Sequence, residues 1–144
     1  MEDKALGLLG LMRRAGAVHL GEDKALDAIS TGKVRLLLLS ADVSDRARRR
    51  AEAMTNGRRF QLIETHYTRD ELGQALGVGS CAMAAVTDLG FANALMKELS
   101  AQLPERYSSY AEETARRQEK AERRRRETAE RKGGKRIEKR RTEV

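Results

Sequence analysis

The chain has 144 residues, and its 29 Lys and Arg against 22 Asp and Glu give a net charge of +7. Residues 1–100 hold 14 basic and 13 acidic residues, whereas residues 101–144 hold 15 and 9, so most of the excess positive charge lies in the C-terminal part. The single cysteine, Cys81, excludes an intramolecular disulfide and a cysteine-based metal site, and the longest apolar run, 5–12, is far shorter than the roughly 20 residues that span a bilayer.

Two helices and a short strand are predicted in the first third of the chain. Apolar residues recur at positions i, i+3, i+4 and i+7 over residues 5–12, which predicts a first helix ending near Gly16. A second helix is expected from Gly21 to Thr31, with Gly32 as its stop signal. The three residues 18–20 between them fit a short strand.

Strands and helices continue to alternate up to residue 100. The apolar runs 34–39, 60–64 and 82–87 predict three further strands, the first of them covered on both faces. Ser44 can cap a helix that ends at Asn56-Gly57, and residues 68–71 match a capping box for a short helix through Leu76. Residues 77–79 form a turn, and Asp88 caps a last helix that runs through Leu99.

This alternation with short connections indicates an α/β domain over residues 1–100. We expect a three-layer α/β/α sandwich in which helices cover both faces of a small mixed four-stranded sheet. A body of about 100 residues is large enough for one hydrophobic core.

Residues 101–144 are expected to form a basic, charged tail that is detached from this core. Beyond Pro104 the large apolar or aromatic residues are Tyr107, Tyr110, Ile137 and Val144, too few to join a core. Five Glu-Arg pairs at i, i+4 spacing predict a solvated helix to about residue 132. Gly133-Gly134 should end it and leave a disordered terminus.

Signatures of catalysis are missing from the sequence. There is no Walker A loop, no HExxH, no GxSxG, and no GxGxxG between a strand and a helix. His19 and His66 are far apart, and neither has a nucleophile or acid beside it in sequence. We therefore expect no catalytic residues, no metal and no cofactor. The acidic start and the arginines at 13 and 14 do not resemble a secretory signal, so a cytoplasmic location is expected.

Two features could bind phosphate. Gly21 opens a helix whose free backbone amides could hold a phosphate or a base edge, or it is a simple N-cap. The arginines fall in two clusters, one at 46 and 48–50, and one in the tail formed by Arg123, Arg124, Arg125 and Arg126. The first cluster fits a solvated helix face as well as a phosphate-binding one, whereas the second favours non-specific RNA contacts.

Several ordered segments resemble those of a known family: LGLMRRAG (9–16), LGEDKALDAISTGKVRLLLLSAD (20–42), RDELGQALG (69–77) and AMAAVTDLGFANAL (82–95). Their order and spacing are similar to those of the kink-turn RNA-binding ribosomal proteins of the L-seven-Ae group, and within it of the small bacterial YlxQ-type members. The resemblance covers residues 4–99 and implies the sandwich inferred above.

The resemblance also implies an RNA-binding surface. In that family a helix opening with G-x-N-E-x-x-K, a residue after the following strand, and the loop before the last strand bind RNA. The matching positions here are Gly21, Glu22, Asp23 and Lys24, then Ala41 and Asp42, then Val78, Gly79, Ser80 and Cys81. Asp23, Lys24 and Asp27 replace the Asn, Glu and Lys of the pattern, so an acceptor-only carboxylate stands where an amide would donate, and an acid where a base would attract phosphate.

Three functions are compatible with the sequence. The first is a monomeric, non-catalytic protein that binds structured RNA, ribosomal or kink-turn-like, in translation or ribosome assembly. The second is an interaction adaptor at the ribosome or the transcription and translation machinery that has lost kink-turn recognition. The third is an accessory fold of an RNA-modifying enzyme, for which this chain has no room for a catalytic half.

Overall fold

The computed structural model describes residues 3–142, with side chains to residue 132. The chain forms ten elements, and the predicted order of helices and strands is confirmed. Their bounds are α1 (Lys4–Arg14), β1 (Val18–Leu20), α2 (Glu22–Ile29), β2 (Leu36–Leu39), α3 (Asp45–Thr55), β3 (Gln61–Glu64), α4 (Arg69–Ala75), β4 (Met83–Val86), α5 (Leu89–Gln102) and α6 (Pro104–Thr142).

The four strands form one mixed sheet in the order β1-β4-β2-β3. β2 and β3 are parallel, whereas β4 lies antiparallel between β1 and β2. The start of β4 therefore lies beside the ends of β1 and β2. We call this the exit end of the sheet and the opposite one, where β2 and β3 begin, the entry end.

Helices cover both faces of the sheet, which confirms the three-layer sandwich. Leu36, Leu38 and Ile63 point into a core that includes α1, α4 and α5. The alternate residues Leu37 and Leu39 pack on the other face against α2 and α3. Because neighbouring residues of β2 face opposite layers and all are buried, the strand is apolar throughout, as its sequence predicted.

Local capping signals in the sequence are also confirmed. The Ser44 hydroxyl accepts a hydrogen bond from the backbone N–H of Ala47 at the start of α3. Thr68 and Glu71 form the complete capping box of α4. Within residues 3–142, no helix is apolar enough over the length of a bilayer to cross a membrane.

The expectation that the tail takes no part in the core is wrong for its first turns. Tyr107 is 1% exposed and belongs to the core on the α1, α4 and α5 face. Its hydroxyl accepts a hydrogen bond from the backbone N–H of His66 (2.9 Å) and lies 2.7 Å from the His66 Nδ1 atom. One large buried aromatic ring whose hydroxyl has a polar partner is enough to attach the helix to the core. The overall polar composition of the tail does not reveal such a single anchor.

The remainder of α6 differs from its prediction in two ways. The helix continues through Gly133-Gly134 to Thr142, and two glycines, at about 1 kcal/mol each relative to alanine, are a weaker stop signal than the sequence suggested. Of the five predicted i, i+4 pairs, the described side chains form those of Glu113 with Arg117 and Glu119 with Arg123. Glu113 also contacts Arg116 at i, i+3.

Candidate nucleic-acid interface

The sheet topology brings three of the sequence-predicted segments together at the exit end. Leu20 pairs with Ala84, and Leu39 pairs with Met83. The pairing extends beyond the strands, because the Gly21 N–H donates to the Met83 carbonyl (2.9 Å) and the Ser40 N–H donates to the Ala82 carbonyl (2.9 Å). Residues 21–24, 41–42 and 78–81 therefore lie together at the exit end. Those that reach the surface are 21–24, 41–42 and 78–80, and we call them the candidate surface.

Gly21 adopts a backbone conformation that favours glycine. Its φ of 90° and ψ of 158° lie where side chains are strained by about 1–3 kcal/mol. It supplies no side chain to cap α2, so the first turn retains free backbone amides, while Glu22 and Asp23 add negative charge beside them. Asp23, Lys24 and Asp27 are exposed, and Glu22 is half-buried. This turn offers donors to a ligand, but its side-chain charge opposes phosphate.

Arg50 on α3 partly offsets that charge. Its guanidinium Nη1 donates to the Glu22 Oε1 atom at 2.6 Å. Because both side chains remain more than a third exposed, the pair contributes at most about 1 kcal/mol to stability. Its larger consequence is electrostatic, since it brings one positive charge to the edge of the candidate surface. No local sequence pattern indicates this contact, because the partners are 28 residues apart.

Asp42 is held by the start of α4. The Arg69 backbone N–H donates to Asp42 Oδ1 at 2.9 Å, and the Arg69 guanidinium donates to the Asp42 backbone carbonyl at 2.6 Å. The hydrogen bond from that backbone N–H is the main reason why the pKa of the Asp42 carboxyl lies below its ordinary value. Arg69 was not among the predicted site residues, although it opens the segment 69–77 that carried the family resemblance.

The loop 78–81 is fixed against α4 by close backbone contact. A Cβ at Gly73 would lie 2.7 Å from both the Cα and the N of Ser80, so a side chain there requires the loop to move. The Val78 N–H donates to the Gly73 carbonyl (2.8 Å), and the Cys81 N–H to the Arg69 carbonyl (2.9 Å). Gly79 and Ser80 are exposed to solvent on a loop that these contacts hold against α4.

Cys81 lies beneath the candidate surface. Its side chain is 3% exposed, and its Sγ atom lies 3.2 Å from the Met83 carbonyl. Burial raises the pKa of the thiol above its ordinary value, as expected for an inert, structural cysteine. In the part of the chain whose side chains are described, no group of three or more His, Cys, Asp and Glu residues is arranged to hold a metal ion.

The tail arginines are not brought to the candidate surface. α6 begins near the exit end, where the Arg106 guanidinium donates to the Glu64 carbonyl (2.8 Å). It then passes the start of β3, where Gln61 Nε2 donates to Thr114 Oγ1 (2.9 Å). Because α6 runs from the exit end to the entry end, residues 123–126 lie about 14–18 Å farther along its axis than Thr114, at 1.5 Å per residue.

The other arginine cluster is largely engaged by the protein itself. Arg48 forms ion pairs with Asp45 and Glu64, and Arg50 pairs with Glu22. The Arg49 Nε atom donates to the Asp45 carbonyl at 3.3 Å. These contacts favour the interpretation of a solvated, internally paired helix face over that of a phosphate-binding one.

Comparisons with known proteins identify the family of the chain and similar solved structures. Residues 3–96 match the model of the ribosomal protein L7Ae/L30e/S12e/Gadd45 family. The chain is 34% identical over 94 residues to the RNA-binding protein YlxQ of Bacillus subtilis, covering 64% of this chain and 91% of that one. A solved protein of unknown function from Bacillus halodurans matches with a TM-score of 0.64 at 28% identity, over 69% of this chain and 99% of that one.

A second solved structure, of lower sequence identity, shares the fold. The 15.5kD RNA binding protein of Giardia lamblia superposes with a TM-score of 0.56 at 16% identity, over 70% of this chain and 89% of that one. The match to the family model extends across the whole α/β body, from the start of α1 into α5. The chain therefore belongs to the ribosomal protein L7Ae/L30e/S12e/Gadd45 family.

Proposed function

We propose that this protein binds structured RNA through the candidate surface, and that it acts as a non-catalytic, monomeric RNA-binding protein. The observation that carries the proposal is the convergence of residues 21–24, 41–42 and 78–81 at the exit end. Family membership and the RNA-binding name of its Bacillus subtilis relative support it.

The chemistry of the surface suits an irregular RNA element better than a regular duplex. Gly79 and Ser80 expose backbone polar groups on a fixed loop, and the first turn of α2 offers amide donors. Such groups can contact unstacked bases and the sugar–phosphate backbone where an RNA strand is sharply bent. We therefore propose a bent or internally looped RNA, such as a kink-turn in ribosomal RNA, as the ligand, and a role in translation or ribosome assembly.

Electrostatics limits how tightly this surface can bind phosphate. Among its neighbouring charges, Glu22 and Asp42 are paired with arginines, whereas Asp23 and Asp27 form no ion pair among the described side chains. These two carboxylates repel RNA and favour the second candidate function, an adaptor that docks a basic protein segment. The two functions predict opposite responses when an acid here is neutralised: stronger RNA binding in the first case and weaker protein binding in the second.

The proposal is tested with two RNAs of equal length and charge. One contains a stem, an internal loop with tandem G·A pairs and a second stem, and the other is the same sequence closed into a continuous duplex. We expect the full chain to prefer the looped RNA by fluorescence anisotropy, with Lys24→Glu reducing that preference. Lys97→Glu, an equal charge reversal at an exposed lysine on α5, should leave the preference unchanged. Equal affinity of the unaltered chain for both RNAs would contradict the proposal.

A further inference from the structure

Four basic residues gather at the entry end of the sheet, opposite the candidate surface. Lys33 and Arg35 lie within the three residues before β2, and Arg58 and Arg59 lie within the three residues before β3. Because β2 and β3 are parallel, their starts lie side by side. The four residues are exposed, and all but Lys33 line a cleft of about 320 Å³ whose floor includes the buried ring of Phe60. We call this group the basic end.

Nothing in the described part of the protein neutralises this charge by direct pairing. The ion pairs among the described side chains include none of the four, and no carboxylate lines the cleft. The C-termini of α2 and α3 also point to this end, and each supplies about half a negative charge. One exposed carboxylate, Asp88, also lies at this end, where it caps the N-terminus of α5 after β4. Four full positive charges therefore face this carboxylate and about one negative charge of helix origin, which leaves a net attraction for an external anion.

The arginine-rich part of α6 projects from the same end. A Cβ at Gly90, in the first turn of α5 after β4, would lie 3.9 Å from Gln118 Nε2, so α6 passes the entry end near residue 118. Arg124 is six residues on, or about 9 Å farther along the axis. Residues 122–132 are exposed on all sides. Arg124, Arg125 and Arg126 form no ion pair among the described side chains.

We propose that the basic end, together with residues 123–126, is a second RNA-binding surface, and that it binds the phosphodiester backbone of an RNA duplex. Guanidinium groups bind phosphate through two parallel hydrogen bonds, which suits a repeated array of phosphates. The aromatic ring at this site is buried and offers no platform for base stacking, which argues against a single strand as the ligand. The inference rests on the proposed function, because it assigns a second contact to the same RNA-binding protein.

The two surfaces are far enough apart to bind separate RNA segments. β2 connects them, and the five residue steps from Arg35 to Ser40 span about 17 Å at 3.3 Å per residue. A protein with a shape-reading surface at one end and a duplex-binding surface at the other can hold two helical segments of a folded RNA at a fixed distance. The salt dependence of its affinity for RNA should then arise mainly from contacts at the basic end.

The test compares two quadruple variants of the full chain. The first variant removes the charges of the basic end through Lys33→Gln, Arg35→Gln, Arg58→Gln and Arg59→Gln. The control variant removes four exposed charges elsewhere, through Lys4→Gln, Arg14→Gln, Arg46→Gln and Lys97→Gln. The probe is a 20-base-pair RNA duplex of mixed sequence, titrated at several salt concentrations. We expect the first variant to bind about tenfold more weakly or worse, and to reduce the slope of log K against log salt by about 0.9 for each lost phosphate contact.

The outcomes distinguish this inference from the proposed function. If the two variants bind the duplex equally, the basic end is not a binding surface, whatever the looped RNA shows. If the unaltered chain shows no preference for looped RNA while the basic-end variant loses duplex binding, the proposed reading of RNA shape fails and the second surface stands. If the unaltered chain binds phosphatidylserine vesicles and not the duplex, the ligand is a membrane and the inference is overturned. Matching circular dichroism melts exclude misfolding, and the Lys33→Gln, Arg58→Gln pair offers a milder variant.

Discussion

The basic side chains at the two ends of the sheet differ in whether they are paired with carboxylates. At the exit end, Arg48, Arg50 and Arg69 each form an ion pair with a carboxylate of the protein itself. At the entry end, the four basic side chains have no such partner among the described residues. The same residue type thus fixes local structure at one end and remains available to an outside anion at the other. The distribution of charge along the sequence does not show which arginines are paired with carboxylates. The folded structure does, because the pairing of the strands determines which side chains are neighbours.

Tyr107 holds α6 in the position from which its arginines project at the entry end. Of the substitutions considered, its replacement should lower the stability of the protein most. It anchors the start of α6 in the core, which determines the end from which the arginines project. We expect Tyr107→Ala to lower the free energy of unfolding by about 3–5 kcal/mol, as for other buried aromatics. Tyr110→Ala is the control, because that ring is 39% exposed on the same helix. Chemical denaturation measures both; similar losses would show that α6 is not anchored through Tyr107.

Truncation after residue 100 is consequently a poor way to separate body from tail. It removes Tyr107 and also Thr114, which is buried against Gln61. Charge substitutions in the full chain keep the core intact and so test binding without confounding it with stability.

Gly73→Ala tests the exit end alone. Its added methyl group would lie 2.7 Å from the backbone of Ser80, so we expect a loss of about 1–3 kcal/mol and a displaced loop 78–81. The preference for looped RNA should fall, while duplex binding and its salt dependence should be retained. Gly7→Ala in α1 is the matched control, since nothing lies within 4 Å of its Cβ. A loss of duplex binding equal to that of the looped RNA would show that the two ends are not independent.

Local features of the fold could be predicted from sequence because their signals are local. The helical spacing of Ala5, Leu9 and Met12 and the capping box at Thr68 and Glu71 each involve residues within one or two turns. The buried β2 was evident from its continuous apolar run.

Features that depend on tertiary pairing could not be found in the same way. Lys33 and Arg58 are 25 positions apart, and only the parallel pairing of β2 with β3 brings their neighbourhoods together. Tyr107 and its partner His66 are 41 positions apart, and one tyrosine in a polar helix creates no periodic pattern. The candidate surface was assembled from a family resemblance, and its RNA-binding role stays a prediction.

Asp27→Lys should strengthen RNA binding at the exit end. Asp27 is exposed on α2, one turn from Asp23, and it repels phosphate where the family pattern carries a lysine. We expect several-fold tighter binding of looped RNA, about 1 kcal/mol, with a steeper salt dependence. Glu98→Lys makes the same change in charge on α5, which packs on the opposite face of the sheet from α2, and should have less effect. Weaker binding of the looped RNA by the Asp27 variant would favour the adaptor function instead.

The smallest expected effect concerns how Asp42 is held. The backbone N–H of Arg69 is the first cause of the lowered pKa of this carboxyl, and the guanidinium contributes less. A carboxyl whose pKa is lower in the folded state stabilises the fold at pH values above its ordinary value of 3.8, and that contribution is lost as the pH falls through the lowered value. We therefore expect Arg69→Gln to leave most of the lowering in place, as measured by carbon-detected NMR titration. A return of the Asp42 pKa to its ordinary value in that variant would instead make the guanidinium the main tether. In that case arginine side chains, and not a backbone amide, would hold the acidic residues of the exit end. The two ends would then differ only in whether their arginines are paired with a carboxylate.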